Sequence, residues 1–318
     1  MQCSVEIKPI GSIKRNSLKD KIYNYRYLLL MIMPAVIHVF IFSYIPMGGI
    51  ILAFKSYDFN LGIFGSPWVG LENFKYFFMS GQAWNVTKNT VLYNLMFIIV
   101  GHIIQIIVAL FLSELANRKL VKVFQTGIFL PYFISWVIVA GMMYGLISTD
   151  YGVINSLLKS FGIEPINFYA TPGLWPWILL IANTWKGVGY GSVNYLATIK
   201  GIDTSIYEAA EIDGANIWQR IWHITLRELV PTMLTLLLLA MGGIFRGNFD
   251  MFYQLIGNNG NLQRMTDVID TVTFRALMQT KDFGMSSATG LYQSVLCFVF
   301  IVTVNKIVNK IDSGSALF

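Results

Sequence analysis

Charge is scarce in this sequence, and where it is missing tells more than how much there is. Asp, Glu, Lys and Arg make up only 13% of the 318 residues, where a soluble domain carries about 25%. Charged side chains are absent from 28–54, 89–113, 123–149, 165–185, 229–245 and 283–305. A helix needs about 20 apolar residues to cross the hydrocarbon of a bilayer. With a mean hydropathy of +0.58, these deserts exclude an ordinary soluble fold. They predict an all-α integral membrane protein with six transmembrane helices near 28–54, 90–114, 123–148, 174–197, 229–250 and 287–306. The two-residue alternation of a β-barrel is absent, and in lipid only helices and closed barrels satisfy their own backbone.

Other absences narrow the function. There are two cysteines, Cys3 and Cys297, at no metal-binding spacing, one in the tail and one in a span, so no disulfide is expected. The three histidines, His38, His102 and His223, are scattered and form no metal or acid–base constellation. No G-x-x-x-x-G-K-[ST] phosphate loop occurs, so ATP hydrolysis through that fold is excluded from this chain. The first apolar run is far longer than the roughly 7–15 residues of a leader peptide and ends at no small-x-small site, so it reads as a retained span.

What charge there is sets an orientation. With six spans, fourteen Lys and Arg fall on the side of the N-terminus, the 2–3 loop (Arg118, Lys119, Lys122), the 4–5 loop (Lys200, Arg220, Arg227) and the C-terminus. Seven fall on the other side: Lys55, Lys75, Lys88, Lys159, Arg264, Arg275 and Lys281. The positive-inside rule then places both termini in the cytoplasm. The net charge of +6 is accounted for as a topology signal and implies no nucleic-acid partner. The expected organisation is a cytoplasmic tail over 1–27, a six-helix domain over 28–310, and a second cytoplasmic tail over 311–318. Residues 55–88, 149–173 and 251–286 are expected as long external loops.

Inside that greasy frame sits SIYEAAEIDGANIWQRIWHITLRELVP, residues 205–231. Ser205-x-x-Glu208 has the spacing of a capping box, and Gly214 can supply a left-handed stop. A second helix can start at Asn216, with Gln219 three residues on. At 3.6 residues per turn Ile217, Trp218, Ile221, Trp222 and Thr225 share one face, and Gln219, Arg220 and His223 another. By local physics this is either an amphipathic connector between spans or a docking element. The paired alanines Ala209 and Ala210, which let another backbone come close, suit the second.

The stretch resembles the EAA signature of binding-protein-dependent ABC importer permeases: E-A-A, three residues, Gly, nine residues, Ile-x-Leu-Pro. Glu208, Ala209, Ala210, Gly214, Ile224 and Leu226 stand in register, and Arg227 stands where the motif has proline. The flanking WKGVGYGSVNYLATIKGIDTSIYEAAEIDGANIWQRIWHITL, with DVIDTVTFRAL and ATGLYQSVL further on, is similar to the carbohydrate-uptake branch, more narrowly to permeases for oligosaccharides derived from polysaccharides. The resemblance covers nearly the whole chain. It implies a type I ABC importer permease fold in a bacterial cytoplasmic membrane, with a coupling loop over 200–226 whose first helix docks on a cytoplasmic ATPase. It also implies partners: a second homologous permease, an ATPase dimer carrying ATP and Mg, an extracytoplasmic solute-binding protein and a carbohydrate substrate. No cofactor and no catalytic residue are expected on this chain.

Within the spans, a charge is tolerated only where water or a partner compensates it. Lys186 can face a translocation path, pair with an acid such as Asp250, or snorkel. Arg246 and Asp250, four apart, can form an intrahelical pair or line the path. Trp185, Tyr190 and Tyr253 can stack on sugar rings beside Asn194 and Asn248, or simply pack. Gly187-Val188-Gly189-Tyr190-Gly191 has the look of a potassium filter, but no pore helix precedes it and the span runs straight into the 4–5 loop. Close helix packing is the better account of its glycines. The alternative to an ATP-driven importer is an ion-coupled secondary transporter, for which paired mid-membrane acids and inverted repeats are missing.

Overall fold

The computed structural model describes residues 23–311. Residues 1–22 and 312–318, most of the two expected tails, lie outside the described residues. The chain falls into two compact units, Met1–Ile51 and Leu52–Phe318.

The first unit is carried by α1 (Arg26–Phe54), 29 residues whose last turn already belongs to the second unit. Pro46 has no N–H to give, and just before it the helix widens into a π-turn at Phe40–Tyr44.

The second unit is helical almost throughout. In chain order it contains α2 (Glu72–Met79), α3 (Gln82–Ser113), α4 (Arg118–Phe129), α5 (Trp136–Ile147), α6 (Val153–Ser160), α7 (Trp175–Lys200) and α8 (Thr204–Ile212). These are followed by α9 (Ile217–Met241), α10 (Phe249–Ile256), α11 (Gly260–Thr266), α12 (Ile269–Met278) and α13 (Phe283–Ile311). Among the described residues α1, α3, α9 and α13 are long and apolar enough to cross a membrane, and α4 with α5 makes a fifth if that bent pair is one span. The 26-residue α7 falls short by composition, since Lys186, Asn183, Asn194 and its glycines dilute its apolar run.

Two of the expected spans are broken. The continuous third span expected over 123–148 is α4 and α5 meeting at 99°. Pro131 ends the first half in a tight turn at Leu130–Phe133, and Ser135 starts the second by accepting from the Ile138 N–H. The fifth span, expected over 229–250, stops at Met241, where Gly242 and Gly243 follow. The chain then crosses 242–248 without a helix before α10 begins. The expected external loop over 251–286 is instead folded into α10, α11 and α12, braced by a two-pronged ion pair from Arg275 to Asp267 at 2.7 and 2.9 Å.

α7 lies along α3, and this pair anchors the core. Toward the 175 end, Tyr93 and Phe97 meet Trp175, Leu179, Met251 and Phe252. Toward the 200 end, Ile106 and Ala109 meet Tyr195, Ile199 and Leu229. A third cluster joins α2, α3 and α12 through Phe77, Val86, Ile269 and Val272. Lipid is as apolar as these side chains, so close van der Waals fit rather than water exclusion holds the helices. The filter-like glycines serve that fit: a Cβ at Gly189 would collide with the Ile128 carbonyl, and one at Gly191 with the Gln105 side chain.

Candidate functional site

The polar insert between α7 and α9 is two helices set at a fixed angle. α8 is capped by Asp203, whose carboxylate accepts from the Ser205 N–H at 3.0 Å. This corrects the capping box expected at Ser205 and Glu208: the helix starts earlier, because Asp203 already occupies the cap. Ser205 N–H bonding also holds the Asp203 carboxyl below the usual carboxylate range. Glu208 and Ala209 are left exposed on α8, with Ala210 half-buried.

Gly214 then takes φ +78°, a left-handed turn that a side chain resists. Asn216 and Gln219 form a reciprocal capping box at 2.9 and 2.8 Å, which starts α9. Two contacts tie α8 to α9 across that corner. Arg220 Nη1 pairs with Glu211 Oε1, and Tyr207 Oη lies 2.9 Å from Thr225 Oγ1. Ile221–Thr225 is a π-turn. With the extra residue Thr225 turns into the interior, 2% exposed, while Trp218 and Trp222 stay exposed. Thr225 therefore leaves the apolar face it was expected to share. Ile224 and Leu226 are half-buried, and α9 runs unbroken through Arg227 and Pro231.

Of the span candidates, Lys186 and Tyr190 lie at the first break, and Arg246, Asn248 and Asp250 at the second. Lys186 does not pair with Asp250. Its ammonium donates to the Tyr132 carbonyl at 2.6 Å, in the bend between α4 and α5, and sits 5.5 Å from the ring centres of both Tyr132 and Trp136. Tyr132 is stacked on Tyr190 at 4.6 Å. Lys186 and Tyr190 thus share one cationic and aromatic cluster with two residues the sequence reading passed over, Tyr132 and Trp136. Pro131 inside an apolar run was the available signal. Trp185 and Asn194, on the same helix, are exposed. Thr184 Oγ1 nearby is buried without a hydrogen-bond partner.

Arg246 and Asp250 do not share a helical turn. Arg246 lies in the break and Asp250 in the first turn of α10, and no ion pair joins them. Asn248 caps α10 through the Met251 N–H at 3.3 Å, and Tyr253 packs between Phe249 and Phe274. The break leaves backbone groups that a continuing helix would have satisfied, and three helices provide partners for them. Asn94 donates to the carbonyls of Ile244 and Arg246 at 2.8 and 3.0 Å. Gln293 donates to the Phe245 carbonyl at 2.8 Å and to Asp270 Oδ2 at 3.0 Å, and that oxygen also accepts from the Gly247 N–H at 2.6 Å. Gly247 has no room for a side chain, since a Cβ would lie 2.8 Å from Val268 Cγ2. Asn94, Asp270 and Gln293 carry no local sequence signal, because what they bond to is backbone elsewhere in the chain.

Comparison with known proteins agrees with this geometry. The chain is 33% identical over 297 residues to the polygalacturonan/rhamnogalacturonan transport system permease protein YteP of Bacillus subtilis (strain 168), covering 93% of this chain and 92% of that one. It is 28% identical to the trehalose/maltose transport system permease protein MalF of Thermococcus litoralis, over 87% of this chain and 92% of that one. Among solved structures it resembles a chain of a bacterial ABC transporter that imports the acidic polysaccharide alginate. The TM-score is 0.83 at 32% identity, with 93% of this chain and 99% of that chain covered. It also resembles a chain of a bacterial alginate ABC transporter in complex with a periplasmic protein carrying an alginate pentasaccharide, at TM-score 0.82 and 32% identity, with 92% of this chain and 98% of that chain covered. Residues 105–313, which include the 204–226 joint and both breaks, match a single family. This chain belongs to the binding-protein-dependent transport system inner membrane components and is an ABC importer permease subunit.

Proposed function

We propose that the chain is one of two homologous permease subunits that carry an oligosaccharide, derived from an acidic polysaccharide, across the bacterial cytoplasmic membrane. In this reading six helices span the bilayer, α4 with α5 and α7 among them, and both termini face the cytoplasm in a type I arrangement. An ATPase dimer, holding ATP and Mg, binds α8 from the cytoplasm, and a solute-binding protein delivers the sugar from outside. This chain supplies no catalytic group of its own. Membership of the importer family sets aside the ion-coupled secondary transporter.

The observation that carries the reading is the 204–226 joint. α8 exposes Glu208 and Ala209, and the same helix is fastened to a long apolar helix by Tyr207–Thr225 and Glu211–Arg220. ATPase closure would displace α8, and these two contacts would pass the displacement into α9. Glu208, Ala209, Ala210, Gly214, Ile224 and Leu226 form the coupling set.

For the path, the reading assigns Trp185, Lys186, Tyr190 and Asn194 on α7, and Arg246, Asn248, Asp250 and Tyr253 at the second break. Interrupted helices are where membrane transporters place polar groups around a cargo. Aromatic rings stack on pyranose faces, and two cations suit a cargo bearing carboxylates. Uptake by the reconstituted complex tests this directly, with a labelled panel of uronate and neutral oligosaccharides of matched length. Uronate uptake dependent on ATP and on the binding protein is the expected result. Preference for the neutral set, or uptake driven by an ion gradient without ATP, would sink the proposal.

A further inference from the structure

The segment between α1 and α2 is folded in a way that neither coupling nor transport explains. Residues 55–69 form a closed loop. Lys55 and Trp68 make an antiparallel bridge at its neck, where the Ser56 N–H meets the Pro67 carbonyl at 3.0 Å and the Val69 N–H meets the Phe54 carbonyl at 2.9 Å. Inside the loop lies the Lys55 side chain, 3% exposed. Its ammonium donates to the carbonyls of Ile63 and Phe64 at 2.9 and 2.7 Å and sits 5.1 Å from the centre of the Trp68 ring. Ser66, equally buried, accepts from the Asp58 N–H at 2.9 Å and donates to the Gly62 carbonyl at 2.6 Å.

The outside of the loop is the reverse. Phe59, Leu61, Phe64 and Trp68 are exposed, Phe64 to 87%. Between residues 56 and 71 the sole charged side chain is Asp58.

We propose that this loop is a membrane-interface anchor, with the tip from Leu61 to Phe64 seated at the headgroup–acyl boundary of the leaflet where α1 ends. Water would satisfy the carbonyls of 62–64 at no cost. Burying a lysine and a serine to do so suits a tip that is kept out of water. Position selects lipid over a soluble partner. The uncharged run 28–54, at about 1.5 Å per residue and about 2 Å over its 3₁₀ end at Gly48–Phe54, is about 40–45 Å long, the thickness of a bilayer with its headgroups. Phe54 therefore emerges at the surface, and the loop that starts at the next residue is within reach of the boundary. An apolar tip with a tryptophan beside it is the composition such interfaces take up. Tyr57 and Phe59 pack on Phe283 at 4.9 and 5.7 Å, which fastens the loop to the first turn of α13.

The inference rests on α1 being a span, and its test separates the two. In the assembled transporter, with Cys3 and Cys297 replaced by serine, a nitroxide is placed at Phe64→Cys, at Ile41→Cys in mid-α1, and at Glu164→Cys on an exposed loop. Collisions with oxygen, which concentrates in lipid, are compared with collisions with a water-soluble nickel chelate in phosphatidylcholine vesicles. Phe64 is expected to favour oxygen by several-fold, as Ile41 does, while Glu164 favours nickel. A nickel-favouring label at Phe64 with Ile41 oxygen-favouring overturns the anchor and leaves the span. Shielding from both reagents only on adding the binding protein overturns it in favour of a protein partner. A nickel-favouring Ile41 removes the span and the anchor together. Leu61→Cys, on the same tip, gives a second reading should the Phe64 variant assemble poorly.

Discussion

Tyr207 Oη and Thr225 Oγ1 lie 2.9 Å apart, joining the exposed helix α8 to the buried side of the π-turn in the second turn of α9. Thr225 is 2% exposed, so the bond is made where water cannot easily replace it. In the proposed coupling, a push on α8 would reach α9 through this contact and through Glu211–Arg220.

Removing that bond is therefore expected to loosen coupling without unfolding the subunit. Tyr207→Phe and Thr225→Val each delete one partner, a change of about 0.5–1.5 kcal/mol. Uptake is expected to fall while basal ATPase activity of the complex persists, and the double variant should be no worse than either single one. Additive losses in that cycle would show that the two residues act separately.

Gly214→Val should be more severe. A β-branched residue at φ +78° is strained by about 1–2 kcal/mol or more, which re-aims α8. The variant is expected to reach the membrane and to lose binding-protein-stimulated ATPase activity together with uptake. Wild-type uptake at equal expression would remove the corner from the coupling argument.

Orientation is open to chemical labelling. Asn216→Cys and Glu164→Cys, each the single cysteine of its chain, are expected to differ on intact cells. An impermeant maleimide should modify Glu164→Cys, on the external side, and spare Asn216→Cys until the membrane is opened. The reverse pattern would invert the topology and place α8 beyond reach of any cytoplasmic ATPase.

The second break offers a stability measurement. Gln293→Leu leaves the Phe245 carbonyl without its donor, a loss of about 1 kcal/mol for a part-buried group. Gly247→Ala drives a methyl against Val268. Both are expected to lower the thermal midpoint of the purified complex by several degrees, with Gly290→Ala, where nothing lies within 4 Å, as the neutral control. Equal midpoints in all three would show that the break is not held by these contacts.

Lys186 and Arg246 separate path from packing. Lys186→Met keeps length, loses the Tyr132 bond and removes the charge, and Arg246→Met does the equivalent at the second break. A path role predicts a KM for uronate oligosaccharides raised about tenfold or more, with neutral sugars little affected. A purely structural role predicts equal losses for both sugars and a lower thermal midpoint.

Composition alone determined that this chain lies in a membrane, because runs without charge leave a helix no other solvent. The two-helix joint at 204–226 was legible for a similarly local reason: a glycine stop and the Asn216–Gln219 box act within a few residues of themselves. What sequence could not locate were the breaks. A run such as 123–149 looks continuous because apolar content does not report direction, and the 99° bend at Pro131 follows from a missing N–H combined with a Lys186 donor 54 residues away. The intrahelical pair, one of the two readings open for Arg246 and Asp250, failed in the same way. Four residues mean one helical turn only if the helix continues, and here Asn94, Asp270 and Gln293, remote in the chain, make it cheaper to stop. Spacing fixes what neighbours along the chain can do. Tertiary structure decided which backbone groups would be satisfied from elsewhere, and hence where the helices end and which side chains meet.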